Sequence, residues 1–337
     1  MAAPCTVLVT GVGAAPGLDL ARSIQRAGHR VIVADSDPLA PGLHLPFATP
    51  TVLARASAPA FPAVLLDLCR RWRPDAMVST VEEELPRLRG LRRTLLARGV
   101  RTWLPPARAM TAALDKGAFA AVLAAHRIPA PRSWPPDRLE RVPEGTPLIV
   151  KPRRGHGSQG VHTCEDVAQA RVLCELTPDP LVQERVTGQE FTADCLVDRG
   201  GRASVILRDR ERVKGGLAVV SRTFTDPAAE SVVKEVLAAT GAAGLCCVQG
   251  FLRDDDPRVV ITEMNARVAG GFAVAEAAGA ELVLQLLNGL FGRPVEHARL
   301  AYHPGVRLTK AVTTLAVTTT GTTAITGPAP TTPTTAT

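Results

Sequence analysis

Two hydrophobic periods alternate through the first hundred residues. Short β-branched or continuous apolar runs occur at Thr6–Thr10, Arg30–Asp35, 75–79 and 100–103. Between them lie stretches with a helical spacing of apolar residues. In the first, Leu20, Ala21, Ile24 and Ala27 share one face and Gly28 closes it. Two more helices are expected around 60–72 and 83–98. The order βαβαβαβ predicts a doubly wound parallel sheet over residues 1–105, a Rossmann-like α/β domain that ends at Pro105-Pro106.

The pattern then changes. A helix is expected at 115–126, followed by a Pro-rich stretch at 128–147 and a strand at 148–151. That strand runs into a Gly-rich loop, and a strand resumes at 161–164. Further strands are predicted at 181–185, 191–197, 203–207, 245–252 and 259–264, with helices near 165–175, 228–240 and 280–290. Without regular alternation, residues 106–310 read as an α+β domain. The tail 311–337 holds 13 Thr and no charged residue, a low-complexity composition, with 311–317 as a candidate last strand. No internal repeat is present.

Composition narrows the class. At 337 residues, with 46% hydrophobic and 21% charged residues, the chain is globular and of about two domains. No uncharged apolar stretch is long enough to span a bilayer and no basic, then apolar, leader opens the sequence. The expectation is a cytoplasmic protein with no membrane partner. Seven Cys, an odd count without C-x-x-C, argue against a disulfide framework or a zinc site. The net charge of +7 suggests a nucleic-acid partner. Aromatics at 4% leave few stacking platforms, however, and neither a helix-turn-helix nor an RNP pattern is present, so no nucleic acid is expected. The basic residues also divide unevenly. Of 39, only Lys116, Lys151, Lys214, Lys234 and Lys310 are lysines.

Four motifs carry candidate chemistry. Gly11, Gly13 and Gly17 lie between the first strand and helix, and Asp35 ends the second strand. That arrangement admits an NAD(P)-dependent oxidoreductase, although the G-x-G-x-x-x-G spacing departs from the dinucleotide fingerprint and suits an ordinary tight turn as well. Second, Lys151-Pro152 opens a loop with Gly155, Gly157 and Gly160. Backbone N–H groups there can approach phosphate oxygens unobstructed, with Lys151, Arg153 and Arg154 adding charge. Third, Gln183, Glu184, Gly188 and Glu190 mark a strand leaving a core through a glycine turn. Fourth, strand alternation places Glu263 and Asn265 on one face. These are hard oxygen donors suited to Mg²⁺, within reach of Gln249 if the two strands pair.

Taken in order, Lys116, Lys151-Pro-x-x-Gly-x-Gly-x-x-Gly, Gln183-Glu184…Glu190 and Gln249…Glu263-x-Asn265-x-Arg267 resemble the ATP-grasp superfamily. The branch is that of the carbamoyl phosphate synthetase large subunit and of carboxylate–amine ligases. The resemblance spans about residues 5–310 and implies a pre-ATP-grasp domain followed by a two-lobed ATP-grasp domain with its lid at about 115–185. It implies that Lys116, Lys151, Arg154, Gly155, Gly157, Ser158 and Gly160 meet the phosphates. Gln183, Glu184 and Val186 would take adenine, and Glu190 the ribose. Gln249, Glu263 and Asn265 would hold one or two Mg²⁺, or Mn²⁺ in their place. Arg267, Arg210 and Lys214 would act in catalysis, and Gly13, Glu83, Arg208, Arg212 and Gly271 would face substrate, with Glu83 on a substrate ammonium. The implied reaction is ATP-dependent amide formation through an acyl phosphate, on an amino acid or small carboxylate with an amine, in small-molecule biosynthesis. A homodimer is the assembly implied. Two departures stand out. The family's Asn-Pro-Arg is Asn265-Ala266-Arg267 here, and Gln249 stands where many relatives carry a carboxylate.

Overall fold

A computed structural model describes residues 3–155, 157, 159–253 and 258–317. Ser158 and residues 318–337 of the Thr-rich tail lie outside the described residues.

The first region is built from β1 (Thr6–Thr10), α1 (Ala15–Arg26), β2 (Arg30–Asp35), β3 (Thr49–Val52), α2 (Phe61–Trp72), β4 (Ala76–Ser79), α3 (Glu84–Ala97) and β5 (Arg101–Thr102). All pairings are parallel, in the order β3-β2-β1-β4-β5. Because side chains alternate along β1, Val7 and Val9 face α1 through Leu20 and Ile24, while Leu8 faces Phe61 and Leu65 of α2. The strand β3 was not legible in the sequence. Its Thr49-Pro50-Thr51-Val52 has no apolar alternation, and Pro50 is tolerated because β3 is an edge strand.

The next elements are α4 (Ala107–Leu114), α5 (Lys116–Ala125), β6 (Ser133–Trp134), β7 (Leu148–Pro152), β8 (His162–Cys164), α6 (Val167–Leu176) and β9 (Pro180–Glu184). Their strands form an antiparallel sheet in the order β6-β9-β7-β8. Last come β10 (Gln189–Val197), β11 (Ala203–Lys214), β12 (Leu217–Thr223), α7 (Pro227–Thr240), β13 (Gly244–Leu252), β14 (Val259–Asn265), α8 (Ala273–Ala277), α9 (Leu282–Leu290) and β15 (Arg307–Thr309). Here the sheet order is β14-β13-β10-β11-β12-β15. Aspartates start three of the helices: Asp115, Asp166 and Asp226 each accept the N–H of the third residue beyond, at Ala118, Gln169 and Ala229.

The sequence pattern missed α4, β12 and α8. It also ended β11 too early, because the strand continues through charged residues that pair with β12. The last strand is Arg307–Thr309, not 311–317. The two regions share a core. Leu282 and Leu286 of α9 join the cluster that contains Val7, Leu20 and Val31. Among the described residues no helix is long and apolar enough to cross a membrane, and the cysteines are free thiols.

Candidate active site

The Gly-rich loop is anchored where α5 begins. Asp115 caps α5 and also accepts Arg153 Nε at 2.6 Å and Arg154 Nη2 at 3.3 Å. Lys116 donates its backbone N–H to the Arg153 carbonyl and its Nζ to the Gly155 carbonyl at 2.7 Å. Lys151, at the end of β7, lies close to Lys116 and Glu263. Burial pulls its pKa down to about 8, against the pull of Glu263 and helped by Lys116.

The opposite wall is the sheet face of β10, β11, β13 and β14. Gln249 stands directly across from Glu263, Thr192 across from Gln249, and Cys247 across from Asn265. Gly250 then pairs with Ile261, so Thr262 is an extra residue in β14. This bulge re-aims the strand end that carries Glu263 and Asn265.

Two cavities adjoin across this wall. In the first, Lys116, Lys151, Gly155 and Gly157 face Gln249 and Glu263. Ile149, Val161, Val186 and Phe251 supply an apolar slot, edged by Gln183 and Glu184. Gln183 Nε2 donates to Ser133 Oγ, and Glu184 is held by Arg132 and Arg253. Glu190 and Arg210 line the same cavity as an ion pair. The second is bounded by Ala14, Ala15 and Pro16 at the start of α1, by Arg208, Arg210 and Arg267, and by Gly270-Gly271. Gly157, Arg210, Gln249 and Glu263 border both.

The arginines of the second cavity differ in their partners. Arg208 is buried with Asp194, Nε to Oδ2 at 2.7 Å. Among the described residues Arg267 donates to neutral oxygens, Asn265 Oδ1 at 3.2 Å and the Val268 carbonyl at 3.0 Å. A side chain at Gly271 would lie 2.5 Å from Arg208 Nη1, so glycine there makes room for the guanidinium.

Several expected residues stand elsewhere. Arg154 is turned to Asp115 and Asp179 and lines neither cavity, since the capping carboxylate competes for it. Gly160, at φ +66°, shapes the turn against Pro152. Arg212 and Lys214 are exposed at the end of β11, where two register shifts break the pairing with β12 and carry the hairpin past the cavity. Gly13 gives its N–H to Asp35 Oδ2 at 2.7 Å, and Asp35 Oδ1 accepts the Asp37 N–H. That carboxylate closes the first turn. Gly17 is fixed by packing, since a Cβ there would lie 2.3 Å from the Gly11 carbonyl oxygen. The glycines of the supposed dinucleotide fingerprint are thus accounted for as scaffold.

The Glu82-Glu83-Glu84 run lines neither cavity. Glu83 is exposed. Glu82 is buried and accepts the Ala266 N–H at 3.2 Å. Its pKa rises to about 7 because burial outweighs the pull of Arg267, with Glu263 adding to the rise. Glu84 accepts from Thr10 and Ser79, and burial lifts it to about 7 as well. Sequence reasoning also missed Thr192, Asp194 and Cys247, whose only signal was alternation within an apolar strand.

Residues 177–314 match the family model for ATP-grasp in the biosynthetic pathway with Ter operon. Residues 7–103 match the model for the PylC-like N-terminal domain. Among curated proteins, the carbamoyl phosphate synthase large chain of Beutenbergia cavernae is 26% identical over 292 residues, covering 78% of this chain and 26% of the relative. The chain therefore spans about a quarter of that relative's length. Among solved structures, the L-amino acid ligase of Bacillus licheniformis superposes with a TM-score of 0.70 at 18% identity, over 90% of this chain and 78% of the other. The biotin carboxylase of Campylobacter jejuni gives 0.69 at 14%, over 86% and 71%. The N5-carboxyaminoimidazole synthetase of Staphylococcus aureus, complexed with ADP, gives 0.68 at 16%, over 86% and 78%. At such identities the structural likeness shows the fold.

Proposed function

We propose that this chain, an ATP-grasp protein with a PylC-like N-terminal domain, is an ATP-dependent carboxylate–amine ligase that works through an acyl phosphate. The observation that carries the reading is the shared wall of Gly157, Arg210, Gln249 and Glu263. A nucleotide in the first cavity would present its terminal phosphate to a carboxylate held in the second.

Each part of the first cavity has a matching part of ATP. The apolar slot, which includes Val186, suits a flat base, with the polar edge at Gln183 and Glu184 beside it. Glu190 would take the ribose, and Lys116, Lys151 and the N–H groups at Gly155 and Gly157 the phosphates. Glu263, Gln249 and Asn265 offer one carboxylate and two amide oxygens, a hard donor set that fits Mg²⁺ brought in with phosphate oxygens. Among the described residues no group of three His, Cys, Asp or Glu forms a dedicated metal cage. A bound Mg²⁺ would neutralise charge on the phosphoryl oxygens.

In the first step a substrate carboxylate oxygen attacks the γ-phosphorus and the bond to the β–γ bridging oxygen breaks, releasing ADP. Arg210 and Arg267 stabilise the charge that spreads over the phosphoryl group. An amine nitrogen then attacks the acyl carbon, phosphate leaves, and the amine proton passes to solvent. In this reading residues 1–105 form the wall beside the acyl substrate, 106–310 the ATP-grasp domain, and 115–185 its lid. Incubation with Mg·ATP, small carboxylic acids and hydroxylamine tests it, because hydroxylamine intercepts an acyl phosphate as a hydroxamate. ATP-dependent hydroxamate should form, and Lys151→Ala should lower its rate by about 100-fold or more. A chain that does not bind Mg·ATP would refute the reading.

A further inference from the structure

We infer that the second cavity takes a carboxylic acid with no ammonium group beside its carboxylate, so that an amino-acid substrate enters as the amine and not as the acyl donor. The inference rests on the ligase reading and narrows it.

The charge pattern of the cavity carries it. Three guanidiniums, Arg208, Arg210 and Arg267, line the space. The carboxylates that balance two of them are spent: Asp194 is buried behind Arg208, and Glu190 pairs with Arg210 from the first cavity. Among the described residues Arg267 donates to neutral acceptors, Asn265 Oδ1 and the Val268 carbonyl. Among the described residues Glu263 is the one acidic side chain on the lining. It also borders the first cavity beside Lys151, and it is the carboxylate of the proposed metal site.

The remaining wall repels an ammonium too. The start of α1 has no capping side chain, so its first N–H groups add positive potential beside Ala14, Ala15 and Pro16. Leu217, Ala218 and Gly270 give no acceptor side chain. The two glutamates from the N-terminal domain do not help. Glu82 is bonded to the Ala266 N–H and Glu83 is exposed, and neither lines this cavity. A carboxylate meets a guanidinium, Arg267, whose hydrogen bonds go to neutral oxygens, whereas an α-ammonium loses its water to a site where Glu263, the one acidic side chain on the described lining, is committed to the proposed metal.

The test uses matched acids with Mg·ATP and hydroxylamine: acetate against glycine, propionate against alanine, and N-acetylalanine against alanine. Hydroxylamine attacks the acyl carbon and displaces phosphate, so no natural amine is needed. The acids without an ammonium should form hydroxamate with a kcat/KM about 10-fold or more above the amino acids. Leu217→Asp supplies the missing carboxylate and should move that ratio toward the amino acids by about 10-fold. Amino acids turned over as well as or better than their partners, by a protein that binds Mg·ATP, would overturn the inference and leave the ligase standing. Loss of Mg·ATP binding by the wild-type chain would instead remove the ligase reading itself.

Discussion

Lys151 is held between burial, which favours its neutral form, and a phosphate-binding task that needs its charge. With its pKa drawn down to about 8, it is mostly cationic below that pH and neutral above it. The kcat/KM for ATP, which reports groups of the free enzyme, should therefore fall as pH rises through about 8. Lys151→Arg should remove that basic limb at a lower maximum, because a guanidinium stays charged but does not reproduce the compact ammonium. A pH series of initial rates measures both. Arg208 poses a different problem. It and Asp194 are both buried, so Arg208→Met would strand a carboxylate without its partner. The expected loss is about 3–5 kcal/mol, read from denaturant unfolding.

Among the elements, the turn after β14 depends on a partner from another domain. In Asn265-Ala266-Arg267, Ala266 has an N–H that a proline would lack, and Glu82 accepts it. Ala266→Pro should cost about 1–3 kcal/mol by leaving the buried Glu82 carboxylate without that donor. It should also lower kcat more than it raises KM for ATP, since Arg267 and Asn265 flank the change. Glu82→Ala added to Ala266→Pro should cost little more, which unfolding and rate measurements on the double variant would show. The same turn shows what a sequence reveals. The order Lys116, Lys151, the glycines, Gln183 and Glu263 was readable because each residue follows a strand or helix end that periodicity marks. Arg154, Arg212 and Lys214 line neither cavity, and charge alone does not say which way a side chain turns. Asp115 captures Arg154, and the irregular pairing after Asp209 carries Arg212 and Lys214 outward. The strand β12 was missed because Leu217–Thr223 reads as a strand only once β11 lies beside it. Among three adjacent glutamates, Glu82 and Glu84 turn inward and Glu83 outward, a choice set by how α3 is seated and left open by periodicity.

At the scale of the whole molecule, buried carboxyl groups set how stability varies with pH. Glu82 and Glu84 have folded pKa values raised to about 7 from an ordinary 4.5. Between those values the folded chain binds more protons than the unfolded chain, so stability falls as pH rises. Each group accounts for up to about 3 kcal/mol between pH 4.5 and 8. Urea unfolding should give a higher free energy near pH 6 than near pH 8, and Glu84→Gln should flatten the slope. Glu82 also has a meaning for how such proteins recombine. Exchange of first domains between relatives at Pro105-Pro106 separates Glu82 from Ala266, and the turn at Ala14–Pro16 from Gly270-Gly271. A second domain that carries proline at position 266 makes no demand on its new neighbour there. One that carries alanine brings a buried N–H that the new first domain has to accept, as Glu82 does here.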